Sequence, residues 1–312
     1  MLKTGITSVS ELREKGFNSR WGRSKSVSIS LYPEILNEPD ADRLAERILL
    51  HFMDDRGAFK RTYTARFDDF DKTVCAFLKG NSPAQKSLIV QDVGVSDGRT
   101  ACDFFEELDS SLSVISFFAS DYNSCLDVIE SSFTRLTLRA SRLLEVVWGP
   151  FVFYLAGKGE HEFRKRYPLS VLIRWYALHF PAKRLLRDYH AGKIRSREIL
   201  LFSPRALRLA SKDKRFFLEE HNILEPLKRQ SHVVRAMNLL NPSYFTREEF
   251  SQVLRNIHIA LYEDGFLITG SNQDAGTSVQ GGIYCKTSSG FKEIRRFGNG
   301  SSIAQIIENF KL

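Results

Sequence analysis

Leu88-Ile89-Val90-Gln91-Asp92-Val93-Gly94-Val95-Ser96-Asp97-Gly98-Arg99-Thr100-Ala101 is the stretch that decides the fold. A short apolar run reaches an acidic residue, and a turn punctuated by two glycines leads into helix-forming sequence. That order predicts a strand, a tight loop and a helix N-terminus, where α/β proteins hold nucleotide-like cofactors. The glycines permit backbone conformations and close approaches that a Cβ hinders. A dinucleotide would place its pyrophosphate at the helix N-terminus, close to Asp92, so the acid argues for a different cofactor. An ordinary strand-to-helix turn is the plainer alternative.

Outward from the turn, the pattern alternates between strand and helix, as α/β folds do. Gly80-Asn81-Ser82-Pro83 breaks the chain ahead of it. Ser87 to Gln91 predicts the first strand, Thr100 to Leu108 the first helix, and Ser113 to Ala119 the second strand. Helical spacing resumes over Leu126 to Phe133. Leu143 to Val147 and Phe151 to Leu155, split by Trp148-Gly149-Pro150, predict a hairpin. Ile199 to Phe202, Phe216 to Glu220 and Ser231 to Met237 predict further strands, and Pro204 opens a short helix. Thr246, with Glu249 three residues on, caps a helix running to about Tyr262. Gly265 to Thr269, Gly282 to Thr287 and Phe291 to Phe297 complete the sheet, the last two antiparallel. Upstream, Ala41 to Asp54 and Asp68 to Leu78 have amphipathic helical spacing. The expected organisation is a helical cap over 1–82 and an α/β domain over 83–312, with a hairpin and a basic aromatic insertion over 143–200.

Several residues at predicted strand ends can bind a cofactor. Asp121 lies 23 residues after Gly98, near the position of roughly 20 residues beyond the loop where an acid meets ribose hydroxyls; capping the next helix is its alternative role. Tyr122 can stack on adenine or line the core. Asn222 can donate to and accept from an adenine edge, or close an Asx-turn. Asn238 can orient cofactor or substrate, or form the turn ahead of Pro242.

Asp92-x-Gly94-x-Ser96-x-Gly98 resembles motif I of the class I S-adenosylmethionine-dependent methyltransferases, with Ser96 where the middle glycine is expected. The strings Glu220 to Leu227 and Val233 to Phe245 resemble the chemotaxis-receptor type of that family. The likeness runs from about Leu88 to Ser271. It implies a Rossmann-like, mostly parallel sheet with an N-terminal helical cap and a basic helical insertion. It implies S-adenosylmethionine as cofactor, whose sulfonium and ammonium suit the acid at Asp92. The implied cofactor-binding set is Asp92, Gly94, Ser96, Gly98, Asp121, Tyr122, Asn222 and Asn238. The family also contacts the cofactor with an arginine from its N-terminal helical part, for which Arg61 and Arg66 are the candidates. Methyl transfer from an activated sulfonium needs mainly positioning. A general base is needed only when the acceptor must lose a proton, and His221, Tyr244 and Glu225 are the weak candidates. A non-catalytic, cofactor-binding regulatory protein on the same fold is the competing expectation; a nicotinamide enzyme comes third.

Composition narrows the classes further. Of 312 residues 43% are hydrophobic and 26% charged, as in ordinary globular proteins. Cys75, Cys102, Cys125 and Cys285 form no Cys-x-x-Cys pair, so neither a zinc site nor a disulfide framework is indicated. No metal-ligand spacing, Gly-x-Ser-x-Gly elbow or Gly-x-x-x-x-Gly-Lys loop is present. Met1 to Ser10 has no apolar core of a signal peptide. The near-apolar run Val146 to Gly157 falls short of the roughly 20 residues that span a membrane. A cytoplasmic protein is expected. The net charge of +8 is local: Lys158 to Arg208 holds thirteen Lys or Arg against four acids. Within it, the aromatic and basic residues of 164–190 suit peripheral contact with the inner membrane face or a small, lipid-like or acidic acceptor. A solvated helix pair is the bland alternative. Nucleic acid is the weaker partner, since no RNA-binding module is recognisable.

Overall fold

The computed structural model describes residues 2–14, 26–49, 52, 60, 62–81, 87–155, 167–272 and 278–312. The chain divides into two compact units, Met1–Arg61 with Cys125–Pro204, and Thr62–Ser124 with Arg205–Leu312.

The second unit carries the parallel-rich α/β sheet. Its strands are β1 (Leu88–Val93), β2 (Val114–Asp121), β3 (Phe216–Glu220), β4 (Ser231–Met237), β5 (Leu261–Ser271), β6 (Gln280–Thr287) and β7 (Gly290–Phe297). They lie in the order β7-β6-β5-β4-β1-β2-β3. The pairs β1–β2, β2–β3, β1–β4 and β4–β5 are parallel, and β6 and β7 follow as an antiparallel hairpin. The order reverses between β1 and β4, which makes a crevice at their carboxyl ends the natural ligand site.

Helices α1 (Asp68–Asn81), α2 (Arg99–Ser111), α3 (Pro204–Lys212), α4 (Arg247–Ala260) and α5 (Ala304–Asn309) complete the unit. On one face the apolar side of α4 and α5 packs on Val93, Val234, Ala236 and Leu267. On the other, rings from α1 and α2 meet rings from the sheet: Phe77 on Phe266 at 5.3 Å and Phe105 on Phe117 at 5.5 Å. Thr246 accepts from the Glu249 N–H and the Glu249 carboxylate accepts from the Thr246 N–H, the expected capping box.

The first unit differs from the sequence expectation. Leu126 to Phe133 is not helical: Cys125–Ser131 is a strand. With Thr134–Arg139, Arg142–Trp148, Phe151–Tyr154 and Arg197–Leu200 it forms a five-stranded antiparallel sheet. Leu126 and Val128 point to one face and Ile129 to the other, so apolar residues on both faces imitated a helical period. The first face is covered by N-terminal residues such as Leu31, Tyr32, Leu44 and Ile48. The second is covered by Ala177, Ala182 and Leu185 of the basic segment. A sheet with two apolar faces needs two covers, which is why 1–61 joins 125–204 rather than standing as a cap over 1–82. Asp68–Asn81, expected within that cap, belongs to the α/β unit. Among the described residues no helix is long and apolar enough to cross a membrane.

Candidate functional site

The carboxyl edge of β1, β2, β3 and β4 gathers the residues singled out in the sequence. Past β1 the chain turns through Gly94 (φ +72°), Ser96 (φ +59°) and Gly98 (φ +81°) before α2 begins. Left-handed backbone costs roughly 1–2 kcal/mol for a residue with a Cβ, so glycine at two of these positions has a physical cause. Ser96 adopts the same left-handed conformation as the two glycines. The loop is fastened to β2: the N–H groups of Gly94 and Val95 donate to the Ser120 carbonyl at 2.8 and 3.1 Å. The Ser96 N–H donates to Asp121 Oδ2 at 2.8 Å. Asp121 Oδ1 accepts from its own turn, the Asn123 N–H, at 2.9 Å. An ionised carboxylate has about four acceptor sites, so Asp121 can shape the loop and accept further bonds. Tyr122 stands half-buried beside it.

Asp92 is engaged elsewhere. It is 1% exposed, and its Oδ2 accepts from Nη1 of Arg235, its register neighbour on β4, at 2.8 Å. Arg235 is fully buried too, and its Nη2 reaches both oxygens of Asp71 on α1 at 2.9 and 3.0 Å. Its guanidinium lies 4.5 Å from the Phe104 ring centre. Burial pushes Asp71 up to about 7 and Asp92 up to about 6, with Arg235 opposing both. The expectation that Asp92 presents its charge to a cationic cofactor is therefore revised: that charge is spent on Arg235.

At the end of β4, Asn238 takes a left-handed conformation (φ +54°). Its side chain pairs with Asn272, beyond the end of β5: Oδ1 accepts from the Asn272 N–H at 3.1 Å and Nδ2 donates to Asn272 Oδ1 at 3.3 Å. Arg66 Nε donates to the same Asn272 oxygen at 2.9 Å. Arg66 thus stands at this edge, whereas Arg61 lies outside the described residues. Asn272 Nδ2 is buried without a hydrogen-bond partner among the described residues. Sequence reasoning missed Asn272; its one signal was a polar residue closing the strand next to Asn238.

At the end of β3 the His221 N–H donates to the Asp121 carbonyl at 3.3 Å. Its Nε2 is buried without a partner among the described residues. Burial, helped by Lys228, holds the imidazole below its ordinary value. Asn222 closes an Asx-turn, accepting from the Leu224 N–H at 3.2 Å. Glu225 and Tyr244 are both exposed. Of the three general-base candidates only His221 is buried at the edge.

No family model matches the chain, and no curated protein matches its sequence. Its structure is similar to that of the trans-methyltransferase CalH in complex with SAH, 13% identical over 65% of this chain and 38% of that one, TM-score 0.32. It is similar to the mitomycin 7-O-methyltransferase MmcR, 10% identical over 79% of this chain and 44% of that one, TM-score 0.30. A third is the N-methyltransferase NodS from Bradyrhizobium japonicum, 11% identical over 68% of this chain and 71% of that one, TM-score 0.32. The chain spans about two-fifths of the length of the first two.

Proposed function

We propose that the α/β unit binds S-adenosylmethionine at the carboxyl edge of β1, β2 and β4 and directs its methyl group to an acceptor. The observation that carries this reading is the Gly94–Gly98 loop at the point where the strand order reverses, wound through three left-handed residues and tied to Asp121. A side chain at Gly94 would be strained by its left-handed backbone (φ +72°) and would crowd Leu239, whose Cδ2 and Cβ lie 2.7 and 3.1 Å from the position of a Cβ.

The donor set fits the cofactor. Asp121 can accept from the ribose hydroxyls. The orphan Asn272 Nδ2 and the Arg66 guanidinium suit the carboxylate of a methionyl group, since both are donors at one place. His221 Nε2, Asn222 and Tyr122 suit the adenine. The bound cofactor supplies an activated methyl group, and this chain's residues supply orientation. The chemotaxis-receptor likeness rests on the strings around Asn222 and Asn238 and on the helical segment ahead of the glycine loop. The acceptor, small, lipid-like or acidic, is left open by these residues.

A non-catalytic S-adenosylmethionine-binding role is the second reading. It is favoured by the exposure of Glu225 and Tyr244 and by the assignment of His221 to the adenine, which together leave none of the three candidate bases for the acceptor. Titration calorimetry with S-adenosylhomocysteine tests both readings. Saturable heat in the wild type, lost in Asp121→Ala, supports the site; no heat with either cofactor form refutes it. Turnover of radiolabelled methyl donor on an acceptor panel then separates enzyme from binder.

A further inference from the structure

The first unit carries a surface that the cofactor site does not use. Pro168–Ala177, the π turn Leu178–Ala182 and Lys183–His190 follow one another without a break. Pro181 sits inside the π turn, where the wider winding accommodates its missing N–H. The buried side of this run is small: Ser170, Ala177 and Ala182, with Leu185. Ile173, Leu178 and Leu186 pack partly against the sheet, but other large apolar side chains of the run face outward. Leu172 is 65% exposed, and Trp175 and Phe180 are each 52% exposed.

These rings are fixed against one another although solvent reaches them. Tyr176 stacks on Phe180 at 5.1 Å, and Trp175 meets the Phe180 edge at 5.7 Å. Trp148 from the sheet lies 5.3 Å from Tyr176. Just past Phe180 the run turns basic. Lys183, Arg184 and Arg187 line an open depression of about 860 Å³ together with Trp148, Tyr176 and Phe180. Lys183 and Arg184 have no ion-pair partner among the described residues, and the nearby Asp188 is shared by Lys193 at 3.6 Å and Arg187 at 3.9 Å.

We propose that this surface docks on an anionic lipid bilayer, with Leu172, Trp175 and Phe180 entering the interface and Lys183, Arg184 and Arg187 meeting the headgroups. Rigid aromatics flanked by cations match the two layers of such a surface, the apolar boundary and the negative plane. A second copy of the chain would bring like charges together. A nucleic acid would use the rings and the cations and leave the outward Leu169 and Leu172 without a role. The docking is independent of S-adenosylmethionine binding, so either can fail alone.

Vesicle flotation of the full chain tests it. The protein is expected to float with vesicles of phosphatidylcholine plus phosphatidylglycerol and not with phosphatidylcholine alone, and to release at high salt. The triple substitution Lys183→Gln, Arg184→Gln, Arg187→Gln should weaken partitioning on the order of a hundred-fold. Trp175→Ser with Phe180→Ser should abolish it while leaving the circular dichroism spectrum intact, since both side chains are half exposed. Equal flotation on neutral and anionic vesicles, or undiminished flotation of the triple variant, overturns the proposal. So does retention of single-stranded RNA in place of vesicles. A dimer that Trp175→Ser with Phe180→Ser dissolves also overturns it.

Discussion

Replacing Arg235 with Met tests the energetics of the α/β unit most severely. The guanidinium is 1% exposed and bonds two buried carboxylates, Asp92 at 2.8 Å and Asp71 at 2.9 and 3.0 Å. Met refills most of the volume beside Phe104 but leaves both acids without a counter-charge. Breaking a buried ion pair from one side costs about 3–5 kcal/mol, against total stabilities of about 5–15 kcal/mol. At about 2–4 °C per kcal/mol for a unit of this size, the melting transition should fall by roughly 6–20 °C. The sign of the pH effect follows from the acids. Burial already raises Asp71 to about 7 and Asp92 to about 6, and losing Arg235 removes the influence that lowers them. Both acids then hold protons more tightly when folded, so the loss should be large at about pH 7.5 and small at about pH 5. Thermal melts followed by circular dichroism at the two pH values measure it. A drop below about 2 °C at the higher pH, or an equal drop at both, refutes the reasoning.

Three further outcomes are expected. In the wild type the raised carboxylates favour folding at low pH, so their stabilising effect is lost as pH rises from about 4 to 7; Asp71→Asn should flatten that slope in urea titrations. Gly94→Ala meets both a left-handed φ of +72° and Leu239 Cδ2 at 2.7 Å, so it should cost about 1–3 kcal/mol and abolish S-adenosylhomocysteine binding by calorimetry. Thr246→Ala removes one half of the α4 capping box and should cost about 1 kcal/mol by chemical denaturation, with cofactor binding unchanged.

The sheet of the α/β unit was legible because its strands are short apolar runs separated by helical periodicity. Ser231–Met237 and Phe216–Glu220 fall where the sequence places them. The second sheet was hidden by the opposite circumstance. Cys125–Ser131 is apolar towards both faces, and two apolar faces erase the two-residue period that identifies a half-buried strand. The N-terminal helices were legible as helices but not as the cover of that sheet, because Ile48 and Leu126, packed in one cluster, are far apart in the chain and leave no local trace. At the site, the glycine loop and Asp121 were readable from spacing. Asn272 was not, since its partners Arg66 and Asn238 lie 206 and 34 residues away.

Asp92 shows how a correct local pattern can carry a wrong charge argument. A carboxylate at the end of the first strand reads as a free negative charge when only its neighbours in sequence are visible. Arg235, 143 residues on, lies beside it in register and neutralises it. Asp97 on the loop is 1% exposed with Arg99 at 3.5 Å, whereas Asp121 bonds the loop's Ser96 N–H directly. Preference for a cationic, hydroxyl-bearing ligand then falls to Asp121. Asp121→Asn should weaken S-adenosylhomocysteine binding about ten-fold or more, the worth of one charged acceptor. Asp92→Asn leaves the Arg235–Asp71 pair intact and should change affinity by less than about three-fold, while making stability less dependent on pH. If calorimetry finds Asp92→Asn the more damaging of the two, the carboxylate acts on the ligand and its pairing with Arg235 is not its main role.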